Sequence, residues 1–177
     1  MKYIIDTSSI ITPHRNYYNV DIAPSFWDKL LNVINRSDGN VFIIDKVKEE
    51  ILRGNDYLIG WVNSVDEHKV LESETNEDVL KTYEKISLWV NNHNHYNERA
   101  KEQFLDAEKA DAFLIAYAKA YNNKDNNKEE IIIVTEERPS PDGALSRKKI
   151  KIPDVCIQLN INWIHLFDFM KKLDIKL

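Results

Sequence analysis

Three short apolar runs, each rich in isoleucine or valine, constrain the fold of this chain more than any other feature. They are KYIID at residues 2–6, NVFIID at residues 40–45 and EIIIVT at residues 130–135. Continuous apolar runs without a polar face are typical of strands that are buried on both sides, as in parallel sheets. The sequence therefore predicts a parallel sheet with helices on both faces.

Amphipathic segments between these runs supply the helices that such a sheet needs. Apolar residues recur at helical spacing in four segments, SFWDKLLNVINR, DKVKEEILRG, DVLKTYEKISLWVNN and DAEKADAFLIAYAKAY. We expect Asp45 to cap the second of these helices and Asp106 the fourth. INWIHL is predicted to be a further strand and FDFMKKL a closing helix. Strands that alternate with helices predict an α/β fold, a three-layer α/β/α sandwich with a central, mainly parallel sheet.

A single domain is expected for residues 1–177, because this length suffices for one sizeable core and no boundary is visible. A helical insertion is predicted around residues 55–100. The Asn-rich stretches NNHNHYNERAKE and YNNKDNNKEE are predicted to be loops or frayed helix ends. No run is long and apolar enough to span a bilayer, which predicts a cytoplasmic protein. Cys156 is the single cysteine, which excludes an intrachain disulfide, and we expect it to be buried.

The net charge of −5 bears on the kind of partner. Taken alone, it argues mildly against nucleic acid, because phosphates prefer basic surfaces. The inference reverses if the excess acid is concentrated in one pocket that binds divalent cations, since the metal ions then supply positive charge. The positions of the carboxylates therefore decide between these interpretations.

Carboxylates directly follow two of the predicted strands. Asp6 ends the first apolar run, and Glu136 and Glu137 follow the third. Functional sites in open parallel sheets lie beyond the carboxyl ends of the strands. As an alternative, Asp6 would serve as an ordinary turn or capping residue, and the glutamate pair would belong to a surface loop.

Two further carboxylates lie on predicted helices. Helical spacing puts Glu50 on the apolar face with Val47, whereas Glu49 points away. Asp111 is expected about one turn into the helix that Asp106 caps, among apolar neighbours. Burial there without a cation or a donor would be costly. The alternatives are a solvated glutamate at the edge of the apolar stripe and an aspartate that favours the helix dipole.

The joint placement of these acids is a stronger signal than any one of them. Mg²⁺ and similar hard cations take oxygen ligands, and two such ions can activate a water and stabilise the leaving oxygen of a phosphodiester. The sequence contains no glycine-rich phosphate-binding motif that would favour a nucleotide site instead.

The order of four short motifs resembles the PIN-domain superfamily, in particular VapC-like nucleases. The motifs are YIIDTSSI, VKEEI, ADAFLIAYA and IIIVTEE. The resemblance implies a PIN-like α/β/α fold, an acidic pocket that binds one or two Mg²⁺ or Mn²⁺ ions and, in many members, ribonuclease activity. By motif position, it puts the catalytic and metal-binding acids on Asp6, Glu50, Asp111 and Glu137. Ser8 and Thr135 match polar positions beside them, whereas Glu137 departs from the aspartate that is usual in the family.

Basic and aromatic residues are candidates for contact with RNA. The run RKKIK is predicted to meet backbone phosphates through Arg147, Lys148 and Lys149, or else to be a solvated loop. Arg15, with Tyr17 and Tyr18, is a candidate to line a substrate groove by phosphate contact or stacking.

Two acids remain as additional candidates for the pocket. Asp154 in IPDVC is predicted to cap a helix, with a place in the acidic pocket as the alternative. Glu136 would replace Glu137 if the motif match is one residue too far along the chain.

The sequence thus predicts a divalent-metal-dependent endoribonuclease, and the resemblance implies the toxin of a toxin–antitoxin pair. The expected partners are an RNA substrate, an antitoxin protein and a second copy of the chain, but no membrane. A catalytically inactive PIN-like module that binds RNA or protein is the alternative, and glutamate instead of aspartate at position 137 keeps it open. An aspartate-based phosphotransferase with Asp6 as nucleophile is a weaker third hypothesis, because Ser8 stands where the haloacid-dehalogenase pattern has a second aspartate.

Overall fold

A five-stranded parallel sheet forms the centre of the computed structural model, which describes residues 1–54, 57–124, 129–141 and 147–176. The strands are β1 (Lys2–Ile5), β2 (Val41–Ile44), β3 (Val70–Leu71), β4 (Ile131–Val134) and β5 (Trp163–Ile164). Their order across the sheet is β3-β2-β1-β4-β5, and every neighbouring pair is parallel. The predicted parallel sheet is confirmed.

Helices cover both faces of this sheet. In the described residues they are α1 (Ser8–Asn16), α2 (Pro24–Asn35), α3 (Asp45–Leu52), α4 (Leu58–Asn63), α5 (Glu77–Asn92), α6 (Glu98–Phe104), α7 (Asp111–Asn122), α8 (Ile152–Leu159) and α9 (Leu166–Lys172). All residues of β4 and the last three of β1 are buried. Because successive side chains of a strand point to opposite faces, this burial requires a layer on each side, as in an α/β/α sandwich.

The structure corrects two predicted helix caps. The helix predicted to begin after Asp106 begins at Asp111, and Asp106 instead accepts the backbone N–H of Glu108 at 3.0 Å in a turn. Asp45 is the first residue of α3 rather than its cap. Its carboxylate accepts the backbone N–H of Ser73 at 2.7 Å and so fastens the segment after β3. The carboxylate of Asp45 binds distant backbone at Ser73, whereas that of Asp106 closes a local turn with Glu108, so neither caps the predicted helix.

The region from 57 to 100 contains α4, β3, α5 and the start of α6, whereas residues 55 and 56 lie outside the described residues. Since β3 pairs with β2, this region adds an edge strand to the sheet. An insertion relative to other chains stays a prediction. The stretch NNHNHYNERAKE was predicted to be loops or frayed helix ends. This was partly wrong, because its last five residues form the first part of α6.

The core contains the cysteine and two of the tryptophans. Cys156, Trp27 and Trp61 are buried, as expected for apolar side chains. In the part of the chain that the structure describes, no helix has the length and apolar character needed to cross a membrane.

Candidate active site

Three hydrogen bonds hold the side chain of Asp6 at the carboxyl end of β1. Its side chain is 2% exposed. Its Oδ2 accepts hydrogen bonds from Ser8 Oγ at 2.5 Å and from Thr135 Oγ1 at 2.9 Å, with the Ser8 N–H at 3.3 Å. The backbone N–H of Asp6 donates to Val134 of β4, which fixes the two strand ends together. No donor from the described residues reaches Oδ1, so this oxygen keeps its lone pairs.

The surroundings of Asp6 favour its neutral form. Burial raises the pKa of Asp6 to about 6, and the charges of Glu137 and Glu50 add to the effect. The hydrogen bonds from Ser8 and Thr135 oppose it, because they stabilise the carboxylate. A cation near Oδ1 would therefore offset the unfavourable negative charge of the Asp6 carboxylate.

Asp111 is the first residue of α7, not one turn inside the helix as expected. Burial raises its pKa well above the usual range, and the charges of Asp6, Glu137 and Glu50 raise it further. Its carboxylate makes no hydrogen bond within the described residues. A largely buried carboxylate without a donor is costly, so Asp111 is poised to accept a cation.

A cavity of about 170 Å³ opens beside Asp111, and lysines line it. Lys148 and Lys149, predicted to bind RNA, are two of them. Lys109 is the third, and sequence reasoning missed it, although it lies only two residues before Asp111. The cavity thus combines one carboxylate with three ammonium groups.

Glu50 lies on the inner side of α3, but both of its oxygens are engaged. One accepts a hydrogen bond from the hydroxyl of Thr7, and the other accepts the backbone N–H of Ala110 at 3.0 Å. Glu50 thereby stabilises the start of α7, where Ala110 is the cap residue. Glu49 points away and pairs with Lys46 at 3.2 Å.

The two glutamates after β4 turn to different helices. Glu137 accepts the ammonium of Lys149 at 2.5 Å and the backbone N–H of Ile152, the first residue of α8, at 2.8 Å. Glu136 accepts the hydroxyl of Tyr17 at 2.9 Å and the backbone N–H of Leu166, the first residue of α9, at 3.0 Å. Of the two, only Glu137 affects the pKa values of Asp6 and Asp111.

Lys149 lies at the edge of this acidic group. Burial disfavours its charge, but the hydrogen bond from Lys149 to Glu137 and the charges of Glu137, Asp111 and Asp6 outweigh that effect and raise its pKa. Its side chain is still 60% exposed. The ammonium group of Lys149 therefore supplies a positive charge beside the acids and remains accessible from solvent.

Asp154 lies in the first turn of α8 and not at its cap, which is Lys151, so the capping prediction was wrong. Both of its oxygens bind Ser140, one through the backbone N–H at 2.8 Å and one through the hydroxyl at 2.6 Å. Asp154 thus fastens the segment after β4.

Two predicted RNA contacts remain on the surface. Arg15 is exposed in the last turn of α1, and no partner for it exists in the described ranges. Arg147 is exposed too, and its carbonyl accepts the backbone N–H of Asn97 at 2.9 Å.

Hydrogen bonding limits how these acids can bind a metal ion. No group of three or more Asp, Glu, His or Cys side chains within the described residues is arranged to hold an ion by itself. Glu50 and Glu137 accept one hydrogen bond at each oxygen, whereas Asp6 Oδ1 and the carboxylate of Asp111 accept none from the described residues. Mg²⁺ keeps several waters and is commonly bound through one or two carboxylates, so the residues fit an ion held by Asp6 and Asp111.

Comparison with known proteins gives one family and one structural neighbour. The family model described as Domain of unknown function (DUF4411) matches residues 3–177. No curated protein matches the chain. The structure of VapBC-1 from nontypeable Haemophilus influenzae is similar over 93% of this chain and 98% of that chain, with 14% sequence identity and a TM-score of 0.47. This likeness is too low to assign a function.

Proposed function

We propose that this chain, which belongs to the DUF4411 family, is a divalent-metal-dependent nuclease that hydrolyses RNA phosphodiesters. One observation carries the proposal. Asp111 is a largely buried carboxylate without a hydrogen-bond donor in the described residues, and it lines a cavity with Lys109, Lys148 and Lys149. A carboxylate without a hydrogen-bond donor beside a group of ammonium side chains suits a metal ion and a phosphodiester together.

Asp6 and Asp111 would hold the ion, and Ser8 and Thr135 would keep Asp6 oriented through its other oxygen. Glu50 and Glu137 would act through their negative charge or through bound water, since their oxygens already have partners. A bound divalent ion supplies an activated water and stabilises the leaving oxygen.

The lysines of the cavity would bind the substrate backbone. Lys109 and Lys148 offer ammonium groups to phosphate oxygens, a contact that positions RNA without reading its sequence. Lys149 would exchange its contact with Glu137 for a phosphate oxygen.

The motif order that resembles PIN domains supports a toxin–antitoxin setting, with RNA as substrate and an antitoxin protein as partner.

Purified protein should degrade total RNA in Mn²⁺ and should be inactive in EDTA. Asp6→Asn and Asp111→Asn should each abolish cleavage while the protein stays folded, because each removes one ligand charge. Glu49→Gln is the matched control, since Glu49 lies outside the acidic group and pairs with Lys46. Cleavage in EDTA, or cleavage by both asparagine variants, contradicts the proposal.

A catalytically inactive module that binds RNA or protein is the second candidate. The hydrogen bonds of Glu50 and Glu137 favour it, because they give these acids a structural role at the starts of α7 and α8 that needs no metal ion. Tight RNA binding without cleavage in Mn²⁺ would establish this function instead.

A further inference from the structure

Two exposed aromatic rings from distant parts of the chain meet beside the candidate site. Tyr17 follows α1 and is 39% exposed, whereas Phe167 lies in the first turn of α9 and is 45% exposed. Their ring centroids are 5.8 Å apart, with an angle of 33° between the ring planes. We refer to Tyr17 and Phe167 as the aromatic platform.

Glu136 links the two segments that carry the aromatic platform. One of its oxygens accepts the Tyr17 hydroxyl, and the other accepts the N–H of Leu166, the residue before Phe167. Tyr18 supports the pair from below, since it contacts both rings and stacks on buried Phe26 at 4.6 Å. The rings are therefore held in place before any ligand binds.

A short chain of hydrogen bonds connects the aromatic platform to the acidic group. The backbone N–H of Glu136 donates to Ser8 Oγ at 3.0 Å, and that hydroxyl donates to Asp6. The platform and the carboxylate are thus fixed relative to each other by Ser8 and Glu136. A ligand that reaches both would bridge a polar site and an apolar one.

We propose that the aromatic platform is a stacking site for an unpaired nucleobase of single-stranded RNA, next to the phosphodiester that is cut. Base–aromatic stacking is a recurrent way to hold single strands without reading their sequence. An uncharged base can approach the rings near Glu136, whereas a phosphate there would be repelled. The proposal rests on the proposed function for its choice of ligand.

Two exposed basic residues lie close to the aromatic platform along the chain, and their charges suit the phosphates on either side of such a base. Arg15 precedes Tyr17 by two residues and is exposed without a partner in the described residues. Lys171 lies four residues after Phe167, on the same face of α9, and is 79% exposed. Its contact with Asp168, at 3.7 Å, is a weak surface pair that a phosphate can replace.

The test is the affinity of full-length protein for a short fluorescein-labelled oligouridylate in EDTA, measured by fluorescence anisotropy. Tyr17→Leu and Phe167→Leu should each weaken binding by a factor of about 5 to 150. Tyr17→Phe keeps the ring but loses the hydroxyl that donates to Glu136, and it should retain more binding than Tyr17→Leu. Tyr57→Leu is the matched control, because Tyr57 is an exposed tyrosine at the start of α4 without an aromatic contact in the described residues.

An oligonucleotide of abasic sugars separates stacking from phosphate binding. Wild-type protein should prefer the oligouridylate to the abasic chain, and both leucine variants should lose most of that preference. Wild-type affinity in both leucine variants, or no binding of the oligouridylate to wild-type protein, overturns the proposal. A wild-type dimer that Phe167→Leu converts to a monomer also overturns it, because the rings then form a protein interface.

Cleavage assays keep this proposal distinct from the proposed function. If the oligouridylate binds through the rings but stays intact in Mn²⁺, the nuclease fails and the aromatic platform stands. If it is cleaved in Mn²⁺ and both leucine variants bind and cleave it like the wild type, the platform fails and the nuclease stands.

Discussion

At the scale of single residues, Asp6 should make stability depend on pH in an unusual direction. A carboxyl group whose pKa is higher in the folded chain binds more protons when folded, so the free energy of unfolding falls as pH rises between the two pKa values. For Asp6 this window runs from 3.8 to about 6. The difference corresponds to about 3 kcal/mol.

The Asp6→Asn variant should not show this fall in the free energy of unfolding, because asparagine does not titrate. In EDTA, the variant should therefore gain stability relative to wild type by about 3 kcal/mol between pH 4 and pH 7. Urea unfolding of both proteins across this pH range measures it, and saturating Mn²⁺ should restore wild-type stability at pH 7. A constant difference across the range would show that Asp6 titrates normally.

The paired glutamates give a second prediction, because each pair has one inward and one outward member. Glu50→Gln and Glu137→Gln should lower Mn²⁺ affinity, since both charges act on Asp6 and Asp111. Glu49→Gln and Glu136→Gln should leave it within about twofold, since neither acts on Asp111. Titration calorimetry with Mn²⁺ on all four variants decides. If Glu136→Gln is damaging and Glu137→Gln silent, the motif match is displaced by one residue.

At the scale of helices and strands, three of the acids also stabilise helix starts. Glu50, Glu137 and Glu136 accept backbone N–H groups at the beginnings of α7, α8 and α9. A carboxylate at a helix N-terminus typically contributes about 0.3–1 kcal/mol, and loss of a capping side chain costs about 1 kcal/mol. Glu136→Gln should therefore lower stability by about 1 kcal/mol without affecting metal binding, and urea unfolding measures this.

The basic segment before α8 should divide into two functions. Lys149→Met should raise Mn²⁺ affinity, because it removes a cation that competes for Glu137, and it should also weaken RNA binding. Lys148→Met should weaken RNA binding and reduce its salt slope by about 1.

Lys85→Met, an exposed change on α5, is the control for both lysine variants. Calorimetry with Mn²⁺ and an RNA salt series measure the two effects. Unchanged Mn²⁺ affinity in Lys149→Met would contradict a competing cation.

At the scale of the whole molecule, metal binding should stabilise the fold. An ion that binds only the folded chain adds about 2.7 kcal/mol at one hundred times its Kd. For a domain of this size that is a rise in Tm of about 5–10 °C. Thermal unfolding with and without Mn²⁺ measures it, and Asp6→Asn and Asp111→Asn should lose most of the rise. An equal rise in both variants would place the ion elsewhere.

The sequence predicted the sheet because its signal is local. β1, β2 and β4 are continuous apolar runs, and α2 and α5 have clear helical spacing. β3 was missed because its two residues stand between charged neighbours, whereas the two residues of β5 lie in the apolar segment INWIHL. The start of α7 was misplaced because Glu50, sixty positions away, binds the N–H of Ala110.

In the candidate site, too, the features with a local signal could be predicted and those that depend on distant contacts could not. Asp6 could be singled out from its place at a strand end, since strand ends are readable in sequence. The partners of Glu136 and Glu137 could not, because their contacts join residues that are 12 to 119 positions apart. Lys109 was missed for a related reason, since its place in the cavity depends on where α7 begins.

Three glutamates contribute both to the acidic group or its surroundings and to a helix start, and this affects how related sequences can be interpreted. A lineage that abandoned catalysis would still be under selection to keep Glu50, Glu136 and Glu137, because each also stabilises a helix. Asp111 accepts no hydrogen bond in the described residues, and burial disfavours its charge in the apo protein, so its place in the first turn of α7 is its one contribution to the fold seen here. In a lineage that no longer needs the activity, residue 111 should therefore be the first of these acids to be substituted. An aspartate at position 111 is then a better sign of catalytic activity than the presence of the other acids.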